Sequence, residues 1–339
     1  MHASMLRAPL LACLSLLGAS SASATDAGLR QLTVPNSPAD AGPISVALYY
    51  PTQAPARPMA MGPFTVHVAI RGPVDAPLKG LIVLSHGRGG TEIGHTSIAE
   101  ALARHGYLVA ALRHPGDNFQ DRSLLQKSAT RYFVERPRDV SRILDALLQD
   151  PEWKSRIPTD ARGPRVGAVG HSAGGYTVLA LAGAQPDPMR TLSHCEEHGS
   201  EDAILCGIGP RERPVDAERR PLPRLADPRV RAIVALSPLA VQFPADSLAS
   251  VRVPTLLYAA ERDRFLVPRF HAEWAASHIP RAELRIVPNA WHFAFMDTPT
   301  RAIQTEDGDL AADPPGFDRA AFLARLGMEL CNFFDQALR

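Results

Sequence analysis

The chain has almost no imbalance of charge: 36 Lys and Arg stand against 35 Asp and Glu, a formal net charge of +1. So weak a field excludes recruitment by nucleic acid or by an anionic membrane surface, and it leaves small neutral or mixed substrates. Long apolar runs are missing as well. The apolar run from Ala8 to Leu17 is too short to span a bilayer comfortably, and no later stretch is long enough, so no integral membrane segment is expected. There is no internal repeat, and no low-complexity tract beyond the leader. Cysteine is scarce, with 4 in 339 residues. What is present in quantity is apolar residue, 45%, enough for a sizeable core in one large domain or two modest ones.

The opening "MHASMLRAPLLACLSLLGASSASA" has a basic start at Arg7, an apolar run, and the small-residue end Ala22-Ser23-Ala24. This reads as a signal peptide spanning residues 1–24, which predicts a periplasmic or secreted protein. "LLAC", ending at Cys13, only loosely resembles a lipoprotein box. Cleavage after Ala24 leaves Cys195, Cys206 and Cys331, an odd count, so one thiol stays unpaired in an oxidising compartment. Cys195 and Cys206 lie close together in one polar, Pro-rich segment and form the expected pair.

Two β-rich runs, "PISVALYYPT" and "FTVHVAI", joined by a Pro- and Ala-rich link, predict an antiparallel start to a sheet. From Lys79 the rhythm changes. "GLIVLSHG", "YLVAALRH", "PRVGAVGHS", "VRAIVALS" and "PTLLYAAERD" are short apolar strands, and helical spacing appears between them in "SIAEALARHG" and "DVSRILDALLQD". Such alternation predicts an α/β fold in residues 25–339, with a mostly parallel sheet carrying helices on both faces. "DRAAFLARLGMELCNFFDQAL" closes the chain as an amphipathic helix. An insertion at about 185–229, rich in Pro, Arg and Glu, interrupts the alternation without a core of its own. It reads as a surface excursion or as a cap held by Cys195 and Cys206.

In "AVGHSAGG" one serine, Ser172, stands between glycines where a strand becomes a helix. Gly170-His171-Ser172-Ala173-Gly174 fits a nucleophile elbow, whose sharp turn exposes the serine hydroxyl. A serine hydroxyl needs a base, and the base needs a carboxylate to hold its tautomer. Asp263, just past the predicted strand "PTLLYAA", and His292, in the loop after Glu283 to Val287, follow Ser172 in the required order. Glu261 competes with Asp263, and His292 beside Trp291 and Phe293 has a packed-core reading. Two amides would receive the oxyanion: that of Ala173, and that of Arg88 in the flexible turn "SHGRGG". This turn lacks the Gly-Lys-Ser/Thr ending of a phosphate loop.

Taken jointly, "VALYYPT", "GPFTVHVA", "LIVLSHGRGG", "LARHGYLVAALRHPGDN", "DVSRILDALL", "GHSAGGYTVLALAGA", "AAERDRFLVP" and "WHFAF" resemble an α/β-hydrolase. Within that fold they are similar to the dienelactone hydrolase-like group, related to platelet-activating-factor acetylhydrolases. The resemblance implies Ser172 as nucleophile, Asp263 as acid, His292 as base, and the Arg88 and Ala173 amides as oxyanion donors. Dienelactone hydrolases proper use a cysteine where this chain has Ser172, which sets dienelactone itself aside as the substrate.

The expectation is therefore a serine hydrolase of small-molecule carboxylic esters that needs no cofactor and no metal. Two other readings stand beside it. "HCEEH", His194 to His198, has the His-x-x-Glu-His order of a zinc peptidase class but runs into Gly199. A hydrolase-fold binding protein without turnover would have a broken triad. "RHPGDN", Arg113 to Asn118, has a reading as a pocket-lining segment and, by default, one as a solvated turn.

Overall fold

The computed structural model describes residues 25–36, 42–124, 129–208 and 222–339. The leader, including Cys13, and residues 209–221 of the insertion lie outside the described residues. The strands of the main sheet are β1 (Asp26–Val34), β2 (Ile44–Thr52), β3 (Arg57–Met61), β4 (Phe64–Ile70), β5 (Gly80–Ser85) and β6 (Tyr107–Arg113), then, after a small hairpin of β7 (Thr159–Asp160) and β8 (Gly163–Pro164), β9 (Val166–His171), β10 (Val230–Leu236), β11 (Thr255–Ala260) and β12 (Ala282–Val287). Among the described residues ten strands form one sheet, in the order β12-β11-β10-β9-β5-β6-β2-β1-β4-β3. From β6 to β12 every pairing is parallel. β2 runs antiparallel to both β1 and β6, and β3 to β4.

The main helices are α1 (Thr96–Arg104), α2 (Ala129–Gln149), α3 (Ala173–Leu181), α4 (Pro188–His198), α5 (Ala203–Ile208), α6 (Ala272–His278) and α7 (Arg319–Ala337). Alternate strand residues face opposite sides of the sheet and so build two cores. Leu81 and Val83 join α2, α3 and α6 through residues such as Ile143, Leu179 and Ala275. Ile82 and Leu84 join α1 and α7 through Ile98, Leu326 and Phe334. A sheet covered on both faces explains why β5, β9, β10 and β11 are buried along their whole length.

Three features depart from the sequence expectation. β1 is an additional strand, and the Pro- and Ala-rich link contains β3, a mostly exposed edge strand. Pro58 is tolerated there because an edge leaves unpaired backbone positions. The turn Arg113 to Asn118 is not solvated: His114 and Asp117 are 0% exposed.

Candidate active site

Ser172 follows β9 directly and heads α3 with φ 55 and ψ −116. A positive φ at a residue with a side chain is strained and persists only where the surroundings impose it. Here they do so through the backbone: the Ser172 N–H donates to the Leu236 carbonyl at 2.9 Å, and the Ser172 carbonyl accepts from Leu239 N–H at 3.0 Å. Glycine makes the close approach possible. A Cβ on Gly170 would lie 2.0 Å from the Gly174 carbonyl oxygen, and one on Gly174 would lie 1.9 Å from that of Ser85.

β12 delivers His292 at the start of a 3-10 turn, His292–Phe295. Its Nδ1 donates to Asp263 Oδ2 at 2.8 Å, and the two side chains are buried. A carboxylate only accepts, so Nδ1 carries the proton and Nε2 is left as the basic nitrogen. Asp263 Oδ1 is fixed by the N–H groups of Phe265 and Leu266, at 3.0 and 2.9 Å. Glu261 has another task, accepting the Asn289 N–H at 2.7 Å in the turn before His292. His171 joins the parts: its Nε2–H donates to the His292 carbonyl at 3.0 Å, and the two rings lie 4.9 Å apart. Phe265 stacks on His292 at 5.0 Å.

The turn after β5 approaches Ser172 closely enough that a Cβ on Gly87 would be 3.2 Å from Ser172 Cβ. Inside this turn the Gly87 carbonyl accepts from Gly90 N–H at 3.2 Å and from His86 Nδ1. His86 Nε2 accepts from His114 N–H at 3.1 Å, so the ring is the neutral tautomer, and burial pulls its pKa down to about 4. In a trans peptide the N–H points opposite to the carbonyl, so the Arg88 N–H is turned away from the turn's interior. Among the described residues neither Arg88 nor Ala173 spends its N–H on a protein acceptor. The Arg88 side chain forms an ion pair with Glu306 at 2.6 Å.

Sequence reasoning missed the groups beneath this turn. Ser85 Oγ lies 2.9 Å from His114 Nε2, and His114 Nδ1 lies 3.0 Å from Asp139 Oδ2. The spacing is triad-like, but its hydroxyl is shut away: Ser85 is 1% exposed, whereas Ser172 is partly exposed, so Ser85, His114 and Asp139 brace the turn instead. Arg136, also 0% exposed, contacts the same group. The available signal was the density of polar residues in "RHPGDN"; a single Arg in an amphipathic helix carries none.

The insertion forms α4 and α5, bridged by Cys195–Cys206 with Cα atoms 5.4 Å apart. Asp202, inside that loop, accepts from both His194 Nε2 and His271 Nε2 at 2.9 Å. His271 Nδ1 in turn accepts from Ala240 N–H at 3.1 Å, next to the Leu239 amide that holds Ser172. Leu205 packs in a small apolar cluster with Val241, Phe265 and Leu266, which all lie outside the insertion, so the insertion docks beside His292 on residues of the main fold. The two histidines of "HCEEH" are committed to separate carboxylates, His194 to Asp202 and His198 to Glu201. Among the described residues no group of three or more His, Cys, Asp or Glu could hold a metal ion. Cys331 is free and buried, its thiol pushed up to about 12 by desolvation.

A strained serine between a central parallel strand and a helix, on a sheet wrapped by helices, is the architecture of an α/β hydrolase. The chain belongs to the alpha/beta hydrolase family, whose model matches residues 82–305. Its fold is similar to that of a ferulic acid esterase from Streptomyces cinnamoneus, with 21% identity, 94% of this chain and 92% of that one covered, and a TM-score of 0.60. It is also similar to a dienelactone hydrolase from Anabaena variabilis, at 16% identity, 92% and 98% coverage, and a TM-score of 0.51. No curated protein matches the sequence. Among the described residues no helix is long and apolar enough to cross a membrane.

Proposed function

We propose that this protein is a serine hydrolase of carboxylic esters, formed by residues 25–339 as one α/β unit and exported by its leader. Ser172 Oγ attacks the ester carbonyl while His292 Nε2 takes the hydroxyl proton and Asp263 stabilises the resulting imidazolium. The Arg88 and Ala173 amides receive the negative charge that develops on the carbonyl oxygen. Collapse breaks the bond to the alkoxy group, which leaves as an alcohol with the proton from His292. Water then attacks the acyl-enzyme, giving its proton to His292, and Ser172 is regenerated as the carboxylic acid departs. No step needs a cofactor.

The observation that carries this reading is the buried 2.8 Å Asp263–His292 bond, joined through His171 to the strained Ser172. An unbroken acid–base pair also argues against a binding protein without turnover. Phe265, Phe293, Leu266 and Leu239 give the site an apolar flank, which suits an apolar acyl or aryl group. The two fold neighbours are by name an esterase and a lactone hydrolase, in keeping with an ester or related acyl substrate.

The test is labelling with a fluorophosphonate, followed by peptide mapping and by turnover of p-nitrophenyl esters of increasing acyl length. Label should fall on Ser172, and Ser172→Ala should lose it together with on the order of 10³-fold or more in kcat. A purified Ser172→Ala protein that kept most of its turnover would remove Ser172 from the mechanism. Chelator-sensitive activity would favour the zinc reading instead.

A further inference from the structure

We infer that Arg136 is a positioning residue for this reaction, locking the turn that carries the Arg88 amide to the helix that carries the Ala173 amide. The inference rests on the reading of Ser172 given above. Arg136 lies on α2, yet its guanidinium is fully buried and reaches both oxyanion-donor segments. Nη2 donates to the His86 carbonyl and, at 3.3 Å, to Ser85 Oγ. Nη1 donates to one oxygen of Asp117, whose other oxygen accepts the Gly89 N–H at 2.7 Å. One ion pair therefore grips the turn on either side of Arg88.

The remaining donor faces the nucleophile helix. Arg136 Nε donates to Thr177 Oγ1 at 3.2 Å, and that hydroxyl donates to the Ala173 carbonyl at 3.0 Å. α2 itself is fastened to α3 by a feature of its sequence. Pro137 has no N–H, so the Phe133 carbonyl one turn earlier loses its helical partner. The Tyr176 hydroxyl fills that gap, donating to Phe133 at 3.0 Å. Arg136 and Tyr176 thus hold the turn, α2 and α3 as one frame, with the two donor amides on its rim.

Stability alone is a poor reason for this arrangement, because an apolar pair of similar volume commonly serves a core as well as a buried ion pair does. Geometry is a better one. A planar guanidinium addresses several acceptors in fixed directions, which a lysine ammonium cannot do. Oxyanion donors act only when they are already aimed at the place where charge develops.

Two variants test this. Arg136→Lys keeps a positive charge beside Asp117 but loses the fork, and the near-isosteric Thr177→Val removes the hydroxyl that relays Arg136 Nε to the Ala173 carbonyl on α3. For each, kcat is measured per fluorophosphonate-labelled Ser172, alongside KM, the thermal midpoint and the affinity for an alkyl boronic acid, whose tetrahedral adduct places an oxygen where the oxyanion forms. Arg136→Lys should lower kcat per labelled site by about tenfold or more, with boronic acid affinity falling by a similar factor and KM staying within about twofold. Thr177→Val should move the same two quantities in parallel by about threefold. Unchanged kcat per labelled site and unchanged boronic acid affinity, with only a lower thermal midpoint or fewer labelled sites, would make Arg136 a scaffold residue and overturn the inference alone. No labelling of Ser172 in the parent enzyme would overturn the Ser172 reading and this inference with it.

Discussion

Asp263 and Glu261, two residues apart at the end of β11, serve two different parts of the His292 segment. Asp263 takes the imidazole Nδ1–H, whereas Glu261 takes the backbone N–H of Asn289, which has φ 57. One orients the ring and the other holds the turn that delivers it. Only the first contact bears on the tautomer, and so only the first should bear strongly on rate.

Asp263→Asn should therefore cost at least about tenfold more in kcat than Glu261→Gln, because an amide in place of the carboxylate favours the wrong tautomer. Glu261→Gln keeps an acceptor for Asn289. Steady-state kinetics on the two folded variants decide the matter, and the reverse ranking would transfer the acid role to Glu261.

Gly174→Ala should prevent the elbow from closing, since its Cβ would meet the Ser85 carbonyl at 1.9 Å and neither backbone can yield. The expected result is an insoluble protein or a soluble one with a sharply lowered thermal midpoint. Gly207→Ala is the control, because a Cβ there meets nothing within 4 Å among the described residues. Comparable midpoints for the two variants would contradict the close strand–helix approach.

Peptide mapping of the non-reduced protein should find Cys195 joined to Cys206 and Cys331 unmodified by alkylating reagents until unfolding, since a buried thiol at about 12 is rarely ionised. Reduction should change KM or acyl-length preference more than it changes unfolding of the sheet, because the bridge spans only α4 and α5. A shift confined to global unfolding, with KM and preference intact, would count against the insertion as a cap.

Acid should loosen the same insertion. Burial works against the Asp202 carboxylate, but the hydrogen bonds from His194 and His271 outweigh it and hold its pKa at about 2, below the ordinary 3.8. Between those values the folded protein binds fewer protons than the unfolded one, so stability falls as pH falls. The contribution is complete above about pH 4 and disappears towards pH 2. Denaturant midpoints of the parent and of Asp202→Asn should differ near pH 6 and converge as the pH is lowered towards 2. A difference independent of pH would mean that Asp202 does not act through its charge.

The sequence by itself determined the class of fold, because the alternation of short apolar strands with helical spacing is written locally, residue by residue. It also singled out Gly170-His171-Ser172-Ala173-Gly174, since small residues are needed wherever a strand and a helix meet at van der Waals distance. The chain order of Ser172, Asp263 and His292 could be read in the same way. What tertiary structure decided were contacts between segments remote in sequence. Which of Asp263 and Glu261 meets the His292 ring depends on where β12 brings it, and no local signal separates two acids in one loop. "RHPGDN" has the composition of a solvated turn and is buried only because α2 covers it and Arg136 pairs with Asp117. Arg136 itself is one more cation on an amphipathic helix until folding removes it from water; from then on its charge and its fork must be satisfied, and the acceptors within reach are the turn before Arg88 and the helix after Ser172.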